Sequence, residues 1–157
     1  MSRYLLGCVA LVSVLFLNEV AVAEEKEVPL PTMPAGAGAV DKDAPKTFTA
    51  TPSGLKFRVL RKGTGAAPKA TNTVKVHYHG WLDNGKKFDS SYERKEPISF
   101  PLNRVIKGWT EGMQLVGTGG MIELEIPADL GYGAQGAGRD VPPNATLHFL
   151  VELLEVQ

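Results

Sequence analysis

Asp89 follows Phe88 and precedes Ser90 and Ser91 in the stretch GKKFDSSYERKEPISF, residues 85–100. A carboxylate beside two hydroxyls is the raw material of an acid/base or nucleophilic site. Acid/base hydrolysis needs a second carboxylate converging on the same bond. The other acids of the region sit on strand faces opposite the apolar one (Glu123, Glu125, Glu152) or in turn-like segments (Asp83, Glu93, Glu96). None has an apolar setting that suggests such convergence. A nucleophilic serine needs a base, and in most designs an oxyanion hole. The three histidines, His77, His79 and His148, alternate with apolar residues and face away from the expected core, and no G-x-S-x-G elbow surrounds the serines. Ser90 and Ser91 are therefore expected to shape a turn through hydroxyl-to-backbone bonds. His77 and His79 share a strand face and could chelate, but no third ligand stands near them. The glycine-rich GYGAQGAGRD, residues 131–140, lacks a phosphate-binding lysine and does not lead from a strand into a helix. It reads as a long loop over a pocket, closed by Pro142-Pro143.

What remains is a set of aromatic residues: Tyr78, Phe88, Phe100, Trp109, Tyr132 and Phe149. Most would serve a core. Tyr78 lies on an apolar strand face, yet its hydroxyl needs a partner when buried, and an ionised Asp89 is a natural acceptor. Together these residues would make an apolar concavity with one polar corner, the usual form of a small-ligand site.

The elements that must place them are legible by period. Leu55, Phe57 and Val59 alternate with Lys56, Arg58 and Leu60; Val74, Val76 and Tyr78 alternate with Lys75, His77 and His79. Ile122, Leu124 and Ile126 alternate with Glu123 and Glu125, and Leu147, Phe149, Val151 and Leu153 share one side of a long final strand. Asn84-Gly85 is a tight-turn signal. The one helix candidate, GWTEGMQLV, puts Trp109, Met113 and Val116 at i, i+4 and i+7. Several alternating strands and one short helix predict an α+β fold, an antiparallel sheet covering the helix with its apolar face.

The chain has 157 residues, 43% hydrophobic and 22% charged, with 17 basic against 17 acidic residues. That balance gives no electrostatic reason for a nucleic-acid or anionic-membrane partner. Residues 1–23 follow the plan of a secretory signal: Arg3, an apolar run from Leu5 to Leu17, then Ala21-Val22-Ala23 before an acidic stretch. The apolar run is shorter than the ~20 residues of a spanning helix. Cys8 precedes the apolar run, so Leu5-Leu6-Gly7-Cys8 does not read as a lipoprotein box, and cleavage after Ala23 would remove the only cysteine. Residues 24–50, rich in Pro, Ala, Gly, Lys and Glu, read as a flexible, extended linker. The folded unit is expected over residues 51–157.

VKVHYHGWLDNGKKFDSS, PISFPLNRVIKGWTEGMQLVGTGG, and IPADLGYG followed by VPPNATLHFLVELLEV occur here in one order. They closely resemble the FKBP-type peptidyl-prolyl cis-trans isomerases, and the resemblance covers residues 51–157. It implies five antiparallel strands wrapped around one short helix, with a pocket between them. By motif, the pocket residues would be Tyr78, Phe88, Asp89, Ile106, Trp109, Tyr132 and Phe149, with Trp109 as floor. Arg94, Val105, Ile98, Phe100 and Val141 would be further substrate-binding positions, Arg94 as partner of the Asp89 and Tyr78 corner. Two departures stand out: Ile98, where the family often has an aromatic, and Ala137, where it often has a histidine. Both bear on substrate preference and inhibitor affinity. The resemblance implies isomerisation of X–Pro bonds without cofactor or metal, proline-containing polypeptides as substrates, and macrolides such as rapamycin as inhibitors. The Ile106 N–H and the Tyr132 hydroxyl are the expected substrate hydrogen-bond donors. A pocket-retaining chaperone with little isomerase activity is the alternative; a hydrolase at Asp89/Ser90 is a third. The chain most resembles exported bacterial members, many of them dimers through a helical N-terminal domain that the linker replaces here. It is accordingly expected as a monomer in the periplasm, free of the membrane once the signal is cleaved. Without a C-terminal K-D-E-L, the periplasm is favoured over the endoplasmic reticulum, where Asn144-Ala145-Thr146 would be a glycosylation site.

Overall fold

The computed structural model describes residues 26–157; the expected signal peptide and Cys8 lie outside the described residues. Seven strands form one sheet: β1 (Thr49–Ala50), β2 (Lys56–Arg61), β3 (Thr73–Leu82), β4 (Lys87–Ser90), β5 (Ile98–Pro101), β6 (Met121–Ile126) and β7 (Leu147–Val156). All pairs are antiparallel, in the order β1-β2-β6-β7-β3-β4, with β5 also paired to β3. The expected five strands become seven for two reasons. The two-residue β1 adds an edge beside β2, and the strand alongside β3 is divided. Its halves, β4 and β5, are separated by the single turn of α1 (Ser91–Arg94). The turn at Asn84-Gly85 is as predicted: Gly85 takes φ 78°, and the Lys86 N–H is accepted by Asn84 Oδ1 at 2.9 Å.

The inner face of the sheet carries the core. Leu55, Val74, Val76, Tyr78, Ile122, Leu124, Ile126, Leu147, Phe149, Val151 and Leu153 are all buried in one cluster, the alternation read from sequence. Helix α2 (Lys107–Gly112) lies on this face and continues into a 3₁₀ turn over Met113–Leu115. Trp109, Met113 and Val116 are buried as expected. Two glycines make the close approach possible. A Cβ on Gly108 would stand 2.5 Å from Ile126, and one on Gly112 2.7 Å from Leu124. Their i, i+4 spacing puts both on the side of the helix that meets β6.

The outer face corrects one expectation. Residues 26–48 do not hang free: they run across this face as an extended strap. The Val28 N–H donates to the Lys46 carbonyl, and the Asp41 N–H to the Leu60 carbonyl, each at 2.8 Å. Met33, Val40 and Ala44, together with Trp81, pack on Leu60, Met121 and Leu150. Charged groups on this face are buried beneath the strap and beside it. Glu123 and Glu152 are buried, and so is Arg58, which is 1% exposed. Arg58 Nε donates to Glu123 at 2.6 Å, and its remaining nitrogens donate to the Val28 and Pro29 carbonyls, both at 2.7 Å. Burial pushes the Glu123 carboxyl up from its usual value, against the pull of Arg58. The compositional rule failed because strap carbonyls need no large side chains to bind; the guanidinium recruits backbone.

Removing one partner of such a pair leaves the other charged and buried. Arg58→Ala is therefore expected to lower the unfolding free energy by about 3–5 kcal/mol, measured by urea denaturation. Adding Glu123→Leu to it should recover part of the loss.

Candidate functional site

Between the sheet and α2 lies a cavity of about 410 Å³. It is lined by Tyr78, Phe88, Asp89, Arg94, Ile98, Phe100, Val105, Ile106, Trp109, Tyr132 and Phe149. The fold thus brings together every residue expected there except Val141. Val141 is buried in the core, exchanging backbone hydrogen bonds with Ala137 and so closing the loop from behind rather than lining the cavity.

Trp109 is the hub of the walls. It is 4% exposed and meets Tyr78, Phe100 and Phe149 edge to face at 5.5, 5.6 and 5.3 Å. Such T-shaped contacts align the positive ring edge with the negative ring face. Its Nε1–H is buried without a partner among the described residues. Phe88 packs edge-on against Phe149 at 5.3 Å. Gly80, in the middle of β3, makes that packing possible: a Cβ there would stand 2.6 Å from Phe88 and 2.9 Å from Phe149. A lone glycine inside an alternating strand was the available sign of this close approach.

The polar corner is built by the divided strand. Where α1 separates β5 from β4, Tyr78 on β3 has no neighbouring strand on that side, and serine hydroxyls take its place. Ser91 Oγ accepts the Tyr78 N–H at 2.8 Å, and the Ser91 and Ser90 hydroxyls reach the Tyr78 carbonyl at 3.3 and 3.5 Å. With its backbone so held, Tyr78 directs its hydroxyl to Asp89 Oδ2 in a short hydrogen bond. Arg94 closes the corner, Nη1 to Asp89 Oδ1 at 2.5 Å and Nη2 to the Tyr78 hydroxyl at 3.0 Å. Burial, then the neighbouring carboxylate, pushes the Tyr78 hydroxyl up to about 12. Burial also acts to raise the Asp89 carboxyl. The donors from Tyr78, Arg94 and the Ser90 N–H outweigh it and hold the group below the usual carboxylate range. The Asp89 side chain is 42% exposed, so the acceptor expected for Tyr78 stands at the rim.

This arrangement does not support acid/base hydrolysis. Asp89 is the only carboxylate among the lining residues. His77 Nδ1 does lie 3.0 Å from Ser91 Oγ, a pairing not anticipated from sequence. Ser91, however, has no exposed surface and Ser90 is 4% exposed, so neither hydroxyl can meet a substrate. No group of three or more potential metal ligands occurs among the described residues. Ile106 immediately precedes α2. An N–H at a helix start has no carbonyl four residues back within the helix, which leaves it available to a ligand at the cavity wall. Tyr132, 42% exposed, stands at the rim from the glycine-rich loop.

Comparison with known proteins agrees with this geometry. The family profile of the FKBP-type peptidyl-prolyl cis-trans isomerases matches residues 65–154. The chain is 55% identical over 107 residues to the FKBP-type peptidyl-prolyl cis-trans isomerase FkpA of Aeromonas hydrophila, covering 68% of this chain and 40% of that one. It is 49% identical over 105 residues to the FK506-binding protein of Neisseria meningitidis serogroup B, covering 66% of this chain and 96% of that one. The crystal structure of FkpA from Escherichia coli superposes with a TM-score of 0.69 at 49% identity, covering 72% of this chain and 53% of the other. The chain spans about half or less of the length of the longer curated relatives it matches. On the matched region and the shared fold, the chain belongs to the FKBP-type peptidyl-prolyl cis-trans isomerase family.

Proposed function

We propose that this chain accelerates rotation about X–Pro bonds in exported polypeptides and so assists their folding. The observation that carries the reading is an aromatic cavity with one ion-paired corner and no paired nucleophile and base open to a substrate. Proline isomerisation breaks no backbone bond. Its barrier, about 18–20 kcal/mol, is the lost resonance of the planar amide. In the twisted amide the carbonyl is less polarised, so an apolar enclosure favours it over the planar form. Each ~1.4 kcal/mol of preference for the twisted state gives a tenfold rate gain. The proline ring would sit over Trp109 between Phe88, Phe149 and Phe100. The Ile106 N–H would donate to the carbonyl beside it, and the Tyr132 hydroxyl would supply a second hydrogen bond. Asp89, held ionised by Tyr78 and Arg94, would keep the corner rigid rather than transfer protons.

The name of the Neisserial relative supports a macrolide of the FK506 type, such as rapamycin, as an occupant of the same cavity. Exposed Ile98, 36% accessible, and Ala137 in the loop would tune which substrates and inhibitors fit. The export-signal pattern of residues 1–23 supports a periplasmic site of action. No helix among the described residues is long and apolar enough to cross a membrane. Fractionation with N-terminal sequencing of the mature protein tests this; a chain retaining residues 1–23 in the membrane fraction would refute it.

A proline-peptide isomerisation assay should show acceleration that rapamycin suppresses. An unaccelerated rate would leave a binding module in place of an enzyme. Asp89→Leu is expected to weaken catalysis by roughly tenfold, about 1.4 kcal/mol, without abolishing it, because the aromatic walls remain. The same assay should give a flat kcat/KM between about pH 5 and 9. Asp89 stays ionised above its lowered pKa and Tyr78 stays protonated up to about 12, so neither titrates in that window. A bell-shaped profile there would show that a proton is being transferred after all.

A further inference from the structure

Helix α1 carries Arg94 into the cavity, but its anchorage lies on the other side of the sheet. A single helical turn has no stability of its own, so its orientation is set by what holds it. Ser91 ties its start to β3. Tyr92, 6% exposed, stacks on the His77 ring at 4.8 Å and donates its hydroxyl to Glu152 Oε1 of β7 at 2.5 Å. The same oxygen accepts the Gly38 N–H of the strap at 2.9 Å, and Arg61 Nη2 donates to the other carboxylate oxygen at 2.6 Å. Arg61 Nη1 also donates to the Ala39 carbonyl at 3.0 Å. A Cβ on Gly38 would stand 2.2 Å from Arg61 Nη1 and 2.8 Å from Glu152 Oε2, so it would push the ends of those two side chains aside.

We propose that Tyr92 and Glu152 are positioning residues for the polar corner, and that the strap, docked through Gly38, completes them. A contact on the outer face thereby sets where Arg94 stands in the cavity. The route is contiguous: Gly38 to Glu152, Glu152 to the Tyr92 hydroxyl, Tyr92 to Arg94 within one turn, and Arg94 to Asp89 and Tyr78. Tyr92 suits the task because its hydroxyl stays a donor. Burial and the neighbouring carboxylate raise its pKa far above the usual tyrosine range. Loss of the anchor would let α1 pivot about Ser91 and withdraw the guanidinium, leaving Asp89 with fewer donors. The inference rests on the corner being part of the isomerase site proposed above.

The test uses the full chain, with the Asp89 carboxyl followed by carbon-13 NMR titration alongside kcat/KM. Tyr92→Phe keeps the ring on His77 and removes only the hydroxyl; Gly38→Ala acts from the strap. Both should move the Asp89 titration upward, toward the ordinary carboxylate range, and lower kcat/KM by roughly fivefold, the low end of site-to-site couplings. In an Arg94→Ala background, Tyr92→Phe should add nothing to either readout. An unmoved Asp89 titration in Tyr92→Phe, or additive losses in the double variant, would overturn the positioning role. An unmoved titration in Gly38→Ala alone would overturn the part assigned to the strap. The titration needs no substrate, so an inactive wild-type protein would count against the isomerase reading and leave the coupling decided.

Discussion

The site depends on an interruption. Along most of β3 the backbone is satisfied by β7 on one side and by β4 or β5 on the other. At Tyr78 the second neighbour is missing, because the chain leaves the sheet there to make the turn of α1. An unpaired backbone group at a buried position costs about 1–3 kcal/mol, and the Ser90 and Ser91 hydroxyls remove that cost at the Tyr78 N–H and carbonyl. The excursion is what the cavity needs. It places Asp89 just before the break and Arg94 within it, at the end of α1, both within reach of a phenol whose backbone the serines hold. A continuous strand would have kept both side chains in sheet register and left no corner.

The same economy governs the two faces of the sheet. On the inner face, glycines at 80, 108 and 112 let aromatic and aliphatic groups approach more closely than any side chain there would allow. On the outer face a chain segment with few large apolar residues becomes ordered because buried charges require partners. Arg58 has more donors than Glu123 can accept, and the surplus is met by carbonyls of the strap. Glu152 performs the corresponding service for Gly38, Arg61 and Tyr92. Polar groups thus order a segment whose hydrophobicity alone would leave it loose, and they join it to the turn beside the cavity.

The readable and unreadable parts of the chain divide along range. Period-two alternation named the inner face correctly, since burial on one side of a strand imposes that pattern locally. The helix was readable from the i, i+4 and i+7 spacing of Trp109, Met113 and Val116, whereas its contact with β6 through Gly108 and Gly112 emerged only with the fold. Residues 26–48 were misread because composition counts large apolar side chains and is blind to backbone acceptors. Val141 was misplaced because the turn that tucks it behind Ala137 is set by loop geometry. Ser91 looked like a turn former; that its oxygen stands in for a missing strand depends on where β4 ends and β5 begins.

The sequence by itself determined the alternation that builds the sheet and the short helix that packs on it, because period is local and one-dimensional, while the family resemblance of its motifs pointed to the residues around the cavity. The tertiary structure alone decided that Asp89 is an ion-paired acceptor and the one carboxylate lining the cavity, that Ser90 and Ser91 are closed to substrate, and that the strap reaches α1 through Glu152. Each of these is a matter of which groups, distant in the chain, come within hydrogen-bond reach and which lose access to water. No pattern along the chain encodes that, because the charge of Asp89 and the partners of Glu152 depend on neighbours supplied by folding.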